Sequence, residues 1–167
     1  MARRWAETSG TPGPKRGTYV CWVAERGLDS DARAPGVARQ FVSSSLRLVA
    51  PVRHAEKIED AELVVSELVT NAVRSGAATV HLALRVHHGA LEVDVFDDGP
   101  GWPQLVRAGE QDAHGRGLVL VDALAECWQA EQIDSGGKRV RVMIAVPAEF
   151  TRSLQCERPW TGVTRRG

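Results

Sequence analysis

The sequence predicts an α+β fold in which helices cover one face of a mainly antiparallel sheet. Three observations lead to this expectation: a strongly amphipathic helical segment, two pairs of alternating segments joined by short glycine-containing turns, and a strand-like segment ahead of the first helix. Short turns between alternating segments indicate hairpins, which build antiparallel sheets. The apolar stripe of each helix needs a partner surface. We therefore expect a two-layer α/β sandwich with a mixed, mainly antiparallel sheet.

The chain divides by composition into a central domain and two tails. Residues 1–16 are rich in glycine, proline and charge and predict a flexible N-terminal tail. Residues 151–167 are polar and arginine-rich and predict a C-terminal tail. The domain is expected over residues 17–150, which is long enough to bury a core without disulfides or metal ions.

One strand and two helices are predicted in the first half of the domain. TYVCWVA, 18–24, is rich in β-branched and aromatic residues and predicts a strand. VARQFVSSSLRLV, 37–49, has helical spacing and should end near Pro51. EKIEDAELVVSELVTNAVRSGA, 56–77, predicts the clearest helix, and Gly76 is well placed to stop it. One face of this helix is apolar (Val64, Val65, Leu68, Val69, Ala72, Val73), and the opposite face carries Asp60, Glu67, Asn71 and Arg74.

The second half predicts two hairpins separated by a loop and a helix. TVHLALRV and LEVDVFD alternate strongly around a turn at residues 87–90, so they predict the first hairpin. Residues 102–114 show no sustained period and predict a loop. GRGLVLVDALAECW, 115–128, predicts a short helix that opens on glycine. AEQIDS and KRVRVMIAV, joined through Gly136-Gly137, predict the second hairpin.

Charge, cysteine content and hydropathy favour a soluble cytoplasmic protein. The 21 basic and 21 acidic residues cancel, which gives no overall attraction for nucleic acid or anionic membranes. Three cysteines, odd in number and far apart, do not indicate a disulfide framework, so a reducing compartment is the simplest setting. No apolar stretch has the roughly 18 residues of a membrane span, and the first residues lack the apolar segment of a secretory signal.

Glu67 and Asn71 form the first candidate site. Four residues make just over one helical turn, so the two side chains project from the same face. A carboxylate there could deprotonate a hydroxyl or water, and an amide oxygen could complete the shell of a hard cation such as Mg²⁺. The alternative is that both residues belong to an ordinary solvated helix face.

The second candidate is VFDDGPGWP, with the spacing Asp97-x-Gly99-x-Gly101. Alternate glycines allow unusual backbone angles and let a flat ring approach without an intervening side chain. The carboxylate of Asp97 could accept a hydrogen bond from an exocyclic amine such as that of adenine. A hairpin turn would account for the same residues.

The third candidate lies at the start of the last helix and comprises Gly115, Arg116, Gly117 and Leu118. Free backbone N–H groups at a helix N-terminus attract anions, and a guanidinium is suited to phosphate. No Lys-Ser or Lys-Thr pair follows the second glycine, so this is not a P-loop. The glycines could also merely end the preceding loop.

In this order and spacing, the three elements resemble the GHKL ATPase superfamily, whose Bergerat fold is shared by gyrase, heat-shock chaperone, histidine kinase and mismatch-repair ATPase domains. The resemblance covers about residues 18–146. The segments SELVTNAV, DDGPG and GRGLVLVDAL look most like the short anti-sigma-factor serine kinases of bacterial stress and sporulation control.

The resemblance implies that ATP and Mg²⁺ are held under a mobile lid, here 102–114. By this likeness Glu67 would be the base that activates the attacking hydroxyl, and Asn71 would bind Mg²⁺. Asp97, rather than Asp98, would bind the adenine amine. The remaining implied contacts come from Gly99 and Gly101, which would shape the pocket, from Gly115 and Gly117, which would close on the phosphates, and from Arg116, which would neutralise the transferred phosphoryl group.

The function implied is phosphorylation of a serine on an anti-anti-sigma (STAS-type) protein, sequestration of a sigma factor, or both, with a possible homodimer. The alternative is a non-catalytic module in which nucleotide controls partner binding. About 66 residues precede Glu67, and they contain no histidine before His54, which argues against a complete sensor histidine kinase.

Two positions depart from the family pattern. A threonine often supports the adenine-binding aspartate from the last strands, and Arg139 is the residue that aligns with it in GGKRVRV. A bulky cation at that place could weaken nucleotide binding. Ser75 stands where a histidine is frequent.

Overall fold

The computed structural model describes residues 20–103, 116–134, 136–151 and 154. Their elements follow the predicted order of a strand, two helices, a hairpin, a third helix and a second hairpin. The helices and strands are β1 (Val20–Asp29), α1 (Ala34–Arg47), α2 (Ala55–Arg74), β2 (Thr79–His87), β3 (Ala90–Asp97), α3 (Arg116–Leu124), β4 (Cys127–Gln132) and β5 (Lys138–Ala145), with short 3₁₀ turns at Val52–His54 and Ala148–Thr151.

The five strands form one sheet in the order β1-β2-β3-β5-β4, and every pair of neighbours is antiparallel. This confirms the predicted α+β class, although the sheet has no parallel pair among the described strands. β3 lies at the centre, and its pairing with β5 sets Asp97, the last residue of β3, opposite Lys138, the first residue of β5. The register of this pair therefore places the end of β3 beside the start of β5.

The helices and one face of the sheet share a single hydrophobic core. Helix α2 contributes its predicted stripe to this core, and Val73 is the one stripe residue that is only partly buried. Alternate residues of the central strands point toward it, because side chains in a strand alternate between two faces. Gly76 then ends α2 with a φ of 78°, a left-handed conformation that favours glycine. The buried face of α2 fixes which of its residues can face a ligand.

Several boundaries differ from the prediction. β1 continues to Asp29 because it pairs with β2 along its whole length. Helix α1 begins at Ala34 because Pro35 is tolerated in a first helical turn. Helix α3 ends at Leu124, and Cys127 and Trp128, predicted as helical, start β4 instead. The indole N–H of Trp128 donates to Asp122 at 3.0 Å, so the tryptophan packs back onto the helix from the strand.

Two further observations concern the chemistry predicted from composition. Cys21, in β1, is disulfide-bonded, whereas the odd number and wide separation of the cysteines gave no reason to predict a bond. Among the described helices, none combines the length and the apolar character that crossing a bilayer requires. Most of both predicted tails lies outside the described residues.

Candidate functional site

A cavity of about 280 Å³ opens where the C-terminal half of α2 meets the ends of the central strands and the start of α3. This volume is close to the lower end of the range for small-molecule sites, roughly 300 Å³. Its walls combine apolar surface with a few polar groups, as binding sites usually do. They are formed by Leu68, Asn71, Ser75, Val95, Asp97, Pro100, Gly101, Trp102, Pro103, Gly117, Leu118, Lys138 and Val140.

The cavity brings together residues from all three candidate sites of the sequence. Asn71 comes from the first, Asp97 and Gly101 from the second, and Gly117 and Leu118 from the third. They are separated by up to 47 positions in the chain, from 71 to 118, so their convergence is a property of the fold. Hairpin turns or a solvated helix face alone would not require it.

Four of the predicted site residues lie beside the cavity or fall wholly or partly outside the described residues. Gly99 is buried beside the cavity, and Glu67 borders it through Gly117. Gly115 and positions 104–114 of the proposed lid lie outside the described residues. Arg116 begins α3, but its side chain is outside the described part as well. Trp102 lines the cavity and is 46% exposed, which puts it at the mouth.

Helix α2 runs along the cavity and presents one residue per turn. Glu67, Asn71 and Ser75 follow each other at intervals of four, so they share one face of the helix. At a rise of 1.5 Å per residue, Glu67 and Ser75 are about 12 Å apart along the axis. Ser75 stands at the end of the cavity that contains Asp97, and Glu67 stands at the end that contains α3. The helix thus spans the distance between two chemically different ends.

Glu67 lies directly against the start of α3. A Cβ added to Gly117 would collide with the Glu67 carboxylate, so glycine at this position lets the carboxylate lie against the start of α3. The carboxylate therefore sits beside the first turn of α3, where free N–H groups and the positive end of the helix dipole favour negative charge.

Asp97 is buried at the other end, with 2% of its surface exposed. Its Oδ1 accepts hydrogen bonds from the backbone N–H of Gly99 at 3.0 Å and from Nζ of Lys138 at 2.7 Å. Within the described residues, no group donates to Oδ2. One oxygen is thus held by the protein, and the other remains as an acceptor on the cavity wall.

Asp98 has a different function from its neighbour. Its carboxylate is exposed and accepts hydrogen bonds from the backbone N–H groups of Ala78 and Thr79 and from the Thr79 hydroxyl, at 2.7 to 2.9 Å. The hydrogen bonds from Thr79 hold the pKa of Asp98 below its usual value. Asp98 fastens the end of β3 to the start of β2 and does not line the cavity.

The cation beside Asp97 is Lys138, whereas the sequence led us to expect Arg139 there. The pairing of Asp97 with Lys138 directs the lysine side chain toward the cavity and the arginine side chain to the opposite face of the sheet. There Arg139 donates to Glu131 at 3.0 Å and lies 3.4 Å from Asp94. Burial raises the pKa of Asp94 even though Arg139 and two further guanidinium groups lower it. The expectation that Arg139 places a bulky cation in the pocket is therefore wrong.

Two glycines bring the walls of the cavity together. A Cβ on Gly99 would lie 2.6 Å from the Ser75 hydroxyl and 2.9 Å from the backbone nitrogen of Ala77. Gly137 has a φ of 85°, and a Cβ there would collide with the backbone oxygen of Asp97. The turn before Lys138 lies against the backbone of Asp97, and the loop after Asp97 lies against Ser75 and Ala77. Both close approaches are possible only because the two residues are glycine.

Sequence reasoning missed Lys138 and Gly137 as parts of the site, and it noted Ser75 only as a departure. The available signal was the glycine pair before β5, which indicates a tight turn. That turn pairs Lys138 with Gln132 of β4, whereas the contact of Lys138 with Asp97 depends on the register between β3 and β5, which are not adjacent in the chain.

The donor set fits a Mg²⁺-nucleotide complex. Mg²⁺ usually takes only one or two protein oxygens and completes its shell with phosphate oxygens and water. Asn71 offers an amide oxygen on the cavity wall that could bind the ion, and the general base proposed from the sequence, Glu67, lies one turn away. The first turn of α3 lies at the same end, and free N–H groups at a helix N-terminus suit phosphate. A bound Mg²⁺ would supply positive charge that offsets the charge developing on a transferred phosphoryl group.

Comparison with known proteins identifies a family. The sequence model of one family, described as the histidine kinase-like ATPase domain, matches residues 28–144. Among solved structures, the histidine kinase domain from the blue-light activated histidine kinase of Erythrobacter litoralis EL346 is similar, with 21% identity and a TM-score of 0.40. That similarity covers 77% of this chain and 70% of the other. No curated protein matches the chain.

Proposed function

This chain belongs to the histidine kinase-like ATPase family, and we propose that it is an ATP-dependent serine kinase of the anti-sigma type. Its family makes it a regulatory module of the ATP-binding class. The finer proposal is that it transfers the γ-phosphoryl group of ATP to a serine of an anti-anti-sigma (STAS-type) partner. In the state in which that partner is phosphorylated, the chain would bind and sequester a sigma factor.

The single observation that supports this proposal is the convergence of three sequence elements on one cavity. We call Ser75, Asp97, Gly99 and Lys138 the base end, after the nucleobase that it would bind. We call Glu67, Asn71 and Gly117 the phosphate end. The base end offers a buried carboxylate acceptor, and the phosphate end offers a helix N-terminus with two oxygen-bearing side chains. A nucleoside triphosphate is a ligand that needs both ends at once.

In the proposed reaction, Glu67 is the general base. Its carboxylate accepts the proton of the substrate serine hydroxyl as the serine oxygen forms a bond to the γ-phosphorus. The bond between that phosphorus and the bridging oxygen breaks, and ADP leaves with the electron pair. The N–H groups at the start of α3 would hold the phosphates in line for this transfer, and the amide oxygen of Asn71 would hold the accompanying Mg²⁺.

The partner assignment rests on the close likeness of SELVTNAV, DDGPG and GRGLVLVDAL to anti-sigma-factor kinases. A serine substrate is consistent with a general base at the phosphate end, because a hydroxyl must lose its proton during transfer. We propose that the protein acts in the cytoplasm, without direct contact to nucleic acid or membrane, and forms a homodimer when it binds its partners.

The proposal is tested by incubating the purified protein with Mg²⁺, γ-labelled ATP and purified STAS-type proteins. Wild type should produce phosphoserine on one of them. Glu67→Gln removes the base with little change in shape, so phosphoryl transfer should fall by about 100-fold or more while ATP affinity changes by less than about threefold. Glu59→Gln is the matched control, because Glu59 is exposed two turns earlier on the same helix.

The outcomes separate a kinase from a binding module. Loss of transfer in Glu67→Gln with full activity in Glu59→Gln supports catalysis by Glu67. If wild type labels no partner but binds sigma factor in an ATP-dependent way, and Glu67→Gln does so equally well, the chain is a non-catalytic nucleotide-dependent module and the kinase proposal is wrong.

A further inference from the structure

A buried ammonium group occupies the base end of the cavity. The side chain of Lys138 is 7% exposed and that of Asp97 is 3% exposed, and their Nζ and Oδ1 atoms are 2.7 Å apart. A buried charge without a partner is strongly destabilising, so each member of this pair depends on the other. Within the described residues, Glu67 and Asn71 form no hydrogen bond or ion pair with Lys138 or Asp97, and the reaction proposed above assigns no function to Lys138.

The hydrogen bonds of Lys138 account for every proton that its ammonium group can donate. Besides Asp97, Nζ donates to the Ser75 hydroxyl oxygen and to the backbone oxygen of Gly99, both at 3.3 Å. An ammonium group has three N–H bonds, and three acceptors are present. These acceptors come from the end of α2, the end of β3 and the loop that follows. Lys138 therefore cross-links three walls of the cavity and keeps no N–H for a ligand.

The same hydrogen bonds fix the orientation of the Asp97 carboxylate. Lys138 and the Gly99 N–H both donate to Oδ1, which leaves Oδ2 as the acceptor without a donor among the described residues. Without the ammonium group, the carboxylate would be held by one neutral N–H, and it would carry an uncompensated charge in a buried position. It could then rotate or draw in water.

We propose that Lys138 is the positioning residue of the base end: it holds the Asp97 carboxylate turned so that Oδ2 alone accepts a hydrogen bond from an exocyclic amine of a purine nucleotide. This inference rests on the proposed nucleotide-binding function. The inference narrows the ligand class from nucleotides in general to amino-purine nucleotides. A lone carboxylate oxygen accepts a hydrogen bond from an amino-purine and makes no such bond to a purine without the amine.

The test compares two nucleotides that differ in one group. Binding of ATP and of purine riboside triphosphate, which lacks the 6-amino group, is measured by calorimetry with Mg²⁺. A hydrogen bond to a charged group contributes about 1.5–3 kcal/mol, so wild type should prefer ATP by roughly 10-fold or more. In Lys138→Met this preference should fall below about threefold, because Asp97 is no longer held in place. A purely structural effect would lower the melting temperature without changing the ratio of affinities.

Two controls make the test specific. Arg139→Met removes a cation from the adjacent position of β5, but on the opposite face of the sheet, and should leave the preference for ATP unchanged. Asp97→Asn should abolish the preference, and adding Lys138→Met to it should change the ratio no further, because Lys138 acts through Asp97. If Lys138→Met does not fold, Lys138→Gln removes the charge on a shorter side chain and should show the same loss.

Three results would overturn the inference. One is an unchanged preference for ATP in folded Lys138→Met or Lys138→Gln, and another is tighter ATP binding in either variant, which would make the lysine an obstacle. The third is an equal loss of preference in Arg139→Met. A wild-type protein that binds neither nucleotide would instead reject the proposed function itself, so the two failures are distinguishable.

Discussion

At the base end of the cavity, Lys138 joins Asp97, Ser75 and Gly99 through three hydrogen bonds. At the phosphate end, by contrast, the side chains of Glu67 and Asn71 have no hydrogen-bond partner among the described residues. The first end is organised before any ligand binds. The second has donors and acceptors in position but needs a ligand to connect them. A nucleotide would therefore find a rigid site for its base and an adaptable site for its phosphates.

This difference has a physical reason. Recognition of a base requires a fixed hydrogen-bonding pattern, because discrimination depends on leaving the wrong group unpaired. Phosphoryl transfer requires groups that interact more strongly as charge develops, and side chains that are already paired would first have to exchange partners. Substitutions at the base end should consequently alter folding and selectivity, and those at the phosphate end should alter rate.

The largest effect on stability is expected from Gly99→Ala. Its Cβ would lie 2.9 Å from the backbone nitrogen of Ala77, which cannot move aside as a side chain can. Overpacking of this kind costs about 3 kcal/mol, and it would also separate Gly99 from Lys138. Urea unfolding should show this loss. Gly101→Ala is the control: its φ of 88° causes local strain of about 1 kcal/mol, but a Cβ there has open space around it.

Gly117→Ala should change the rate of phosphoryl transfer more than the stability of the fold. The added Cβ meets the carboxylate of Glu67, which can rotate away, so stability should change by less than about 1 kcal/mol. The displaced carboxylate should slow phosphoryl transfer by about 10- to 100-fold, because small misplacements of a catalytic group are costly. Single-turnover transfer and urea unfolding of the same samples check this. A stability loss as large as that of Gly99→Ala would mean that the two ends do not differ.

The smallest effect concerns acid stability and Asp98. Hydrogen bonds from Thr79 lower the pKa of Asp98 in the folded protein, so this group stabilises the fold above its unfolded pKa, about 3.9. That contribution disappears as the pH falls through the lower, folded pKa. Between pH 5 and pH 2, wild type should therefore lose stability more steeply than Asp98→Asn. Parallel acid titrations followed by circular dichroism would decide, and equal slopes would exclude this function of Asp98.

The order of elements was predictable from the sequence because each carries its own local pattern. The stripe of α2 and the alternation around Gly89 depend only on neighbouring residues. The spacing to Gly99 and Gly101 selected Asp97 over Asp98 in the sequence, and the structure places Asp97 on the cavity wall and Asp98 outside it. The functions of these residues in ligand binding remain predictions.

The choice between Lys138 and Arg139 was not predictable in the same way, because it depends on strand register. A shift of one residue in the pairing of β3 and β5 exchanges the two faces of the strand. The helix predicted through Trp128 was too long for a similar reason, since the pairing of Cys127 and Trp128 with β5 outweighs the helical pattern that precedes them. Contacts between distant segments decide both cases.

The most direct test of the account is ATP affinity, measured with and without Mg²⁺ in wild type, Asp97→Asn and Asp98→Asn. We expect wild type to bind ATP more tightly with Mg²⁺, Asp97→Asn to lose roughly 10- to 100-fold in affinity, and Asp98→Asn to bind like wild type. Failure of wild type to bind ATP, or equal losses in the two aspartate variants, would contradict the assignment of this cavity as the nucleotide site.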